Sequence, residues 1–122
     1  MDITVVNKRT YRAMGAPWEV YIGRPSPLGN PFTSIKGRAT LAEFQCDTRL
    51  ESINRYAGWL QDQMFNKNSE VLAELDRLFA LLLEHDKLVL ICWCAPLPCH
   101  GDVLKTHFQE SWKYNFPNPK EV

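Results

Sequence analysis

Residues 88–94 read LVLICWC and are apolar at nearly every position. A strand with one face in water alternates apolar and polar side chains, whereas an unbroken apolar run is typical of a strand that helices cover on both faces. The next four residues, APLP at 95–98, end the run because proline cannot continue a central strand. The sequence therefore predicts a buried central strand at about 88–94 in an α/β domain.

Three helices and two further strands are predicted around the central strand. A capping box that begins at Thr48 starts the first helix, and a wide apolar stripe marks the second as the clearest one. The predicted helices cover about 48–65, 69–85 and Cys99 or His100 to Lys113, and the predicted strands cover 3–8 and 18–24.

The two N-terminal strands are joined by a linker that is too short for a crossover helix, so they are expected to pair as antiparallel neighbours. The expected fold is a small Rossmann-like three-layer α/β domain with a mixed sheet and helices on both faces of it. The 122 residues fit one domain, 1–122, with a loosely ordered tail at about 115–122.

The charge balance of the chain bears on its partners and its compartment. The 14 basic and 14 acidic residues cancel, which argues against a protein that holds nucleic acid mainly by neutralising phosphates. The N-terminus lacks a basic segment followed by a long apolar one, and no apolar run is long enough to cross a bilayer. We therefore expect no membrane partner, a cytoplasmic location in a bacterium or in an infected host cell, and cysteines that remain thiols.

The turn at 94–102, CAPLPCHGD, is the first candidate site. Ligands of open α/β sheets bind beyond the carboxyl ends of the strands, where a helix N-terminus offers unpaired N–H groups to an anion. Cys94 and Gly101 are expected to contact the ligand there, while Cys99, His100 and Asp102 are the candidates for chemistry. The alternative is that proline and glycine only shape the turn, that Asp102 is a favourable helix-start residue, and that His100 is a surface or capping residue.

The proline-rich loop after the second strand is the second candidate site, and its candidate ligand-binding residues are Arg24, Leu28, Gly29, Asn30 and Phe32. Arg24 is suited to clamp an anion bidentately, although it could equally be a solvated arginine at a strand end. Asn7, Lys8 and Arg9 close the first strand, but an antiparallel pairing would place the two cations at the opposite edge of the sheet from Arg24. Trp93 is either a core residue, which is the favoured interpretation, or a stacking surface for a base or sugar.

The cysteines leave two further alternatives open. Cys92, Cys94, Cys99 and His100 are possible zinc ligands, but they form one cluster rather than two separated pairs, so no metal ligand is assigned and zinc is the only cofactor considered. Cys99 beside a histidine at a helix N-terminus would have a lowered pKa, which favours a nucleophilic or redox-sensitive thiol. Cys92 is interpreted as core packing.

Three segments, 5–8, 20–32 and 92–104, resemble the domain of unknown function 4326 family, which is found in bacteria and phages. The resemblance implies no activity, but it draws attention to the residues already selected and adds Asn7 to them. The cysteine-rich strand followed by Cys-His and a helix is also similar to Rossmann-like families that handle nucleotides, which is an analogy of fold.

The leading hypothesis is a domain that binds an anionic nucleotide-derived small molecule, with or without turnover, between the 94–102 turn and the 24–32 loop. Arg24 and the helix N-terminus would hold phosphate, Asn30 would bond a base or sugar, and His100 with Asp102 would transfer protons. One alternative is a non-enzymatic protein of phage type that sequesters a signal molecule or a host protein. The other is a zinc or reactive-thiol site at Cys94, Cys99 and His100, and the stripe on helix 69–85 could serve a homodimer.

Overall fold

The computed structural model describes residues 1–34, 42 and 44–116 of the chain. The described elements are three helices and five short strands, in the order β1 (Asp2–Asn7), β2 (Glu19–Tyr21), β3 (Phe32–Thr33), β4 (Phe44–Gln45), α1 (Arg49–Phe65), α2 (Ser69–His85), β5 (Lys87–Cys92) and α3 (His100–Asn115). The chain is therefore a small α/β protein with short parallel sheets, and its three helices lie where the sequence predicted them.

The main sheet has the order β1-β5-β2, and both outer strands run parallel to β5. The predicted antiparallel pairing of the first two strands is therefore wrong, and so is the mixed sheet as far as the described strands go. The linker 8–18 contains no helix, yet an extended linker of this length reaches roughly 35 Å, which suffices to return past β5 to the other side of the sheet. The Glu19 carboxylate orders the end of this linker by accepting bonds from the N–H groups of Met14 and Ala16.

β5 is the central strand, and every residue from Leu88 to Cys92 is buried. The α2 stripe packs in the same core, where Val71, Leu75, Leu78 and Leu82 are buried. The strand begins one residue and ends two residues earlier than predicted, since the pairing with β1 ends at Cys92 opposite Asn7. Trp93 and Cys94 consequently belong to the turn that follows β5.

The helix ends follow from local chemistry. The Thr48 hydroxyl accepts a bond from the Glu51 N–H at the start of α1, and the Asn68 side chain accepts bonds from two N–H groups at the start of α2. Asn115 was predicted to begin the tail, but it closes α3, and the Phe116 ring lies tilted by 37° against the Trp112 ring with ring centroids 4.7 Å apart. The rest of the predicted tail, 117–122, lies outside the described residues.

None of the helices in the described part of the chain is long and apolar enough to cross a bilayer.

Candidate functional site at the carboxyl ends of the strands

Parallel pairing brings the two candidate sites, the turn at 94–102 and the loop at 24–32, to one edge of the sheet. Lys8 and Trp93 directly follow β1 and β5, and Arg24 follows β2 by three residues. The Lys8 N–H bonds the Cys92 carbonyl at 2.7 Å, and the Ile22 N–H bonds the Ile91 carbonyl at 3.0 Å, so the three strand ends are level. The expected separation of Lys8 from Arg24 was wrong because it rested on the antiparallel pairing.

Four side chains form what we call the edge patch: Lys8, Arg9, Tyr21 and Trp93. The Trp93 indole N–H donates to the Tyr21 hydroxyl at 2.9 Å, and that hydroxyl donates to the Arg24 carbonyl at 2.9 Å. The Lys8 ammonium lies 4.7 Å from the Tyr21 ring centroid and 5.3 Å from that of Trp93, and the Arg9 guanidinium lies 5.8 Å from the latter. These distances are within the range of cation–π attraction.

Trp93 is 49% exposed, so the favoured expectation of a buried tryptophan is wrong. The strand ends before Trp93, and its ring is held at the surface by the bond to Tyr21 instead of packing in the core. Tyr21 was not selected from the sequence. Its signal is positional, since a tyrosine near the end of a strand that neighbours the central strand in parallel can reach side chains that follow both.

Asn7 holds the turn after β5 in place. Its amide nitrogen donates to the carbonyls of Trp93 and Ala95 at 3.1 and 3.0 Å, and its side-chain oxygen accepts from the Arg9 N–H at 2.8 Å. The polar atoms of Asn7 are thus engaged with backbone, and the residue positions the edge patch.

The Arg24 guanidinium carries the least satisfied polar atom of the site. Its Nη1 is buried and has no hydrogen-bond partner among the described residues, and the same is true of the Ser26 hydroxyl in the same loop. A buried charged donor without a partner is costly, because the bonds that it made to water are lost. Gly29 closes the loop over this arginine, since a Cβ at Gly29 would lie 3.0 Å from the Cα and the backbone nitrogen of Arg24.

The other predicted residues of the loop are used to hold it against α1. The Leu28 side chain is buried, and its carbonyl accepts a 2.7 Å bond from the Tyr56 hydroxyl. The Asn30 amide donates to the Ser52 hydroxyl at 2.9 Å and accepts from the Phe32 N–H at 2.9 Å. Phe32 stacks on Phe44 with ring centroids 5.2 Å apart. Leu28, Asn30 and Phe32 thus fix the loop from which Arg24 projects.

The first turn of α3 is a capping box built on a cysteine. The Cys99 sulfur accepts from the Gly101 N–H at 3.3 Å, and the Asp102 carboxylate accepts from the Cys99 N–H at 3.0 Å. Asp102 therefore serves the helix start, as the simpler interpretation expected, and its negative charge complements the helix dipole there. Pro98 precedes the cap rather than standing inside the first turn.

His100 is 7% exposed, so the alternative interpretation of His100 as a surface or capping residue is wrong. Its Nε2 lies 2.7 Å from the Ile22 carbonyl, and its ring meets the Tyr56 ring edge-on at 5.0 Å. A carbonyl can only accept, so Nε2 carries a proton. Burial lowers the pKa of His100; the bond to Ile22 opposes this, and the positive charge of nearby Arg24 adds to the lowering.

We expect the free energy of unfolding to fall as the pH drops below about 6.5, the ordinary pKa of histidine. His100 has a lowered pKa in the folded chain, so the unfolded chain binds a proton first, and stability that is complete above the unfolded pKa is lost toward the folded pKa. The slope from His100 approaches about 1.4 kcal/mol per pH unit.

Urea denaturation at several pH values measures this slope in the wild type and in His100→Gln, where it should be reduced. Burial also lowers the pKa of His107, so His107→Gln should remove a further part of the slope. An unchanged slope in His100→Gln would contradict the assignment.

The sulfur of Cys99 also contacts that of Cys92 at 3.4 Å. Both thiols are buried, and the Ala95 N–H donates to the Cys92 sulfur at 3.4 Å. The thiol of Cys99 donates to Cys92, which lowers the pKa of Cys92 and raises the pKa of Cys99. The lowered pKa predicted for Cys99 is therefore wrong, and the lowered pKa belongs to Cys92. Cys92 was interpreted as core packing alone; its partnership with Cys99 depends on the turn and was not visible from spacing.

No three side chains of His, Cys, Asp or Glu within residues 1–34, 42 and 44–116 lie close enough together to share a metal ion. The zinc alternative therefore receives no support from the described positions of Cys94, Cys99 and His100.

Two open grooves flank this region. One, of about 310 Å³, runs along the end of β1 and is lined by Asn7, Thr10, Tyr11 and Pro96 among others, next to the edge patch. The larger, of about 510 Å³, lies between α1 and α3 and is lined mainly by Leu60, Met64, Val103 and His107. The smaller groove adjoins the charged strand ends, whereas the larger one lies behind the first turn of α3.

A family model described as Domain of unknown function (DUF4326) matches residues 5–110 of the chain. No curated protein matches it, and no solved structure does.

Proposed function

The chain belongs to the domain of unknown function 4326 family, and from the geometry of its strand ends we propose that it binds a small anionic molecule derived from a nucleotide. The proposed ligand lies across the edge patch, with its anionic group toward Arg24. The family model covers all three strand ends that form this edge, including Lys8 and Arg9, so the proposal concerns the part of the chain that the family model matches.

The observation that carries the proposal is the buried Arg24 Nη1 without a hydrogen-bond partner among the described residues. A guanidinium in this state gains most from an anion, because charge-assisted bonds are about twice as strong as neutral ones. Lys8 and Arg9 add positive charge at the same sheet edge, in a chain whose formal net charge is zero. This local concentration of charge favours a phosphate or a carboxylate.

The aromatic half of the edge patch supports a ligand that also contains a ring. Trp93 is exposed but fixed by its bond to Tyr21, so a base that stacks on it loses little freedom of the side chain. Stacking of a base on an aromatic side chain contributes about 1–3 kcal/mol. A nucleotide contains both a base, which would stack on Trp93, and a phosphate, which would bind Arg24. A ligand with only one of these groups would leave the other residue without a contact.

Binding has more support than turnover. Asp102 is engaged in the cap of α3, and the Nε2 of His100 is engaged with Ile22, so both predicted proton-transfer residues already have structural partners. Asn30, which was expected to contact a base or sugar, is likewise engaged with Ser52 and Phe32. The proposal therefore assigns recognition to Arg24, Lys8 and Trp93, and it leaves the other predicted residues to shape the site.

The proposal includes a Rossmann-like three-layer arrangement for the domain. Its support is the parallel order β1-β5-β2 with β5 buried along its length, together with the packing of α2 against β5 and of α3 against β1. In such sheets the carboxyl ends of the strands are the usual place for a nucleotide.

We expect a nucleotide to raise the melting temperature of the protein and to bind Arg24→Gln at least about tenfold more weakly than the wild type, since a bond to a charged group contributes about 1.5–3 kcal/mol. The probes are nucleoside mono-, di- and triphosphates, dinucleotides and cyclic nucleotides, and calorimetry measures the dissociation constant.

Arg77→Gln is the matched control, because Arg77 lies on α2 and pairs there with Glu74. It should bind like the wild type. The proposal fails if no probe raises the melting temperature, or if Arg24→Gln and Arg77→Gln bind equally well. Recovery of the bound nucleotide unchanged after long incubation would separate binding from turnover.

A further inference from the structure

The sulfurs of Cys92 and Cys99 form a buried pair in the turn between β5 and α3. Cys92 is 1% exposed and Cys99 is 3% exposed, and neither sulfur contacts a ligand in the proposal above. Their 3.4 Å separation is close to sulfur contact, and each sulfur also accepts a backbone N–H, from Ala95 and from Gly101 respectively. The four cysteines of the chain are free thiols.

We propose that Cys92 and Cys99 form a reversible intramolecular disulfide when the protein meets a peroxide, which makes the turn between β5 and α3 a site of redox modification. The geometry supports this pair over the other combinations, since among the described cysteines only these two have sulfurs within hydrogen-bond distance of each other. The inference does not depend on what the strand ends bind.

The order of events follows from the hydrogen bonds. The Cys92 sulfur accepts hydrogen bonds from the Cys99 thiol and from the Ala95 N–H, and both bonds stabilise a thiolate at Cys92. This thiolate attacks one oxygen of hydrogen peroxide, the O–O bond breaks, and a sulfenic acid forms at Cys92. The departing hydroxide takes up the proton that the Cys92 thiol released, which gives the first molecule of water. The Cys99 sulfur then attacks the Cys92 sulfur, the S–O bond breaks, and the leaving hydroxide takes the proton of the Cys99 thiol. In total two thiols and one peroxide give one disulfide and two molecules of water.

The neighbouring cysteine is not the partner in this scheme. Cys94 lies in the turn after β5 and acts on Cys99 through its charge alone, whereas the sulfurs of Cys92 and Cys99 are in contact at 3.4 Å. Cys46 precedes α1 and is buried in another part of the chain. Both serve as matched controls, since they are thiols that the proposal leaves untouched.

The test exposes the reduced protein to hydrogen peroxide and counts its remaining thiols. The wild type, with four thiols, is expected to lose two of them, to stay monomeric on a non-reducing gel, and to regain them with dithiothreitol. Cys46→Ser and Cys94→Ser should each still lose two thiols. Cys92→Ser and Cys99→Ser should form no intramolecular disulfide; serine at 99 keeps an acceptor for the Gly101 N–H, so α3 still has a cap.

A second measurement avoids variants at the two proposed positions. In oxidised Cys94→Ser, chymotryptic cleavage after Trp93 separates the Cys92 peptide from the Cys99 peptide, and mass spectrometry should find the two joined until they are reduced. The proposal is overturned if the peptides are separate, if Cys94→Ser forms no disulfide while the wild type does, or if peroxide produces only linked dimers. It is also overturned if Cys92→Ser or Cys99→Ser retains the disulfide of the wild type.

Discussion

Tyr56→Ala is expected to lower the free energy of unfolding by about 3–5 kcal/mol, the range for removal of a buried aromatic side chain. Tyr56 is fully buried, and its ring contacts those of Trp59 and His100 at centroid distances of 5.4 and 5.0 Å. The residue also ties α1 to the loop over Arg24, because its hydroxyl donates to the Leu28 carbonyl at 2.7 Å. A loss of this size removes a large share of the stability of an ordinary domain.

Tyr56→Phe isolates the hydroxyl from the ring. The variant leaves the Leu28 carbonyl without that donor, so we expect a loss of about 1–3 kcal/mol. Tyr114→Phe is the matched control, since Tyr114 is 88% exposed, and its stability should equal that of the wild type. Urea denaturation measures all three variants, and equal stability of Tyr56→Phe and Tyr114→Phe would contradict the role given to the Leu28 bond.

Gly101→Ala and Gly58→Ala are expected to change stability in opposite directions, although both glycines lie in helices. A Cβ at Gly101 would meet the Val5 Cγ1 at 2.8 Å, the Ile22 Cδ1 at 3.1 Å and the Cys99 sulfur at 3.2 Å. Val5 is β-branched, so its methyl group cannot easily rotate away, and α3 would have to move from the sheet. Overpacking of this kind costs about 1–3 kcal/mol.

At Gly58 in α1 a Cβ meets no atom within 4 Å, and alanine there should stabilise the protein by about 0.5–1 kcal/mol through helix propensity alone. The two free energies of unfolding, measured by the same denaturation, give the contrast. Val5→Ala in the Gly101→Ala background should recover part of the loss, since it removes the methyl group nearest to the new Cβ. If Gly101→Ala were more stable than the wild type, the predicted clash between the new Cβ and Val5 would be contradicted.

The sequence predicted the candidate site unevenly, and particular residues show why. Arg24 and Lys8 were selected because cations that follow strands lie at a sheet edge, but their meeting required the strand order β1-β5-β2. The side chain of an asparagine such as Asn30 can bind a ligand or anchor a loop, and the sequence does not distinguish the two roles. In the structure Ser52 on α1 lies within hydrogen-bond distance of Asn30, so Asn30 anchors the loop. Tyr56 was not among the residues selected from the sequence, since a hydroxyl that reaches Leu28 across 28 positions has no local signal.

The sequence by itself determined the helices, the central strand and the two turns that flank the site, because periodicity, capping residues and prolines act within a few neighbouring positions. Only the tertiary structure decided the direction of pairing, the exposure of Trp93, the burial of His100 and the contact of Cys92 with Cys99. Each of these depends on where β1 and β2 return beside β5. A linker such as 8–18 is long enough to place β2 either beside β1 or on the far side of β5. Packing over the whole core, rather than the residues of the linker, selects the second position.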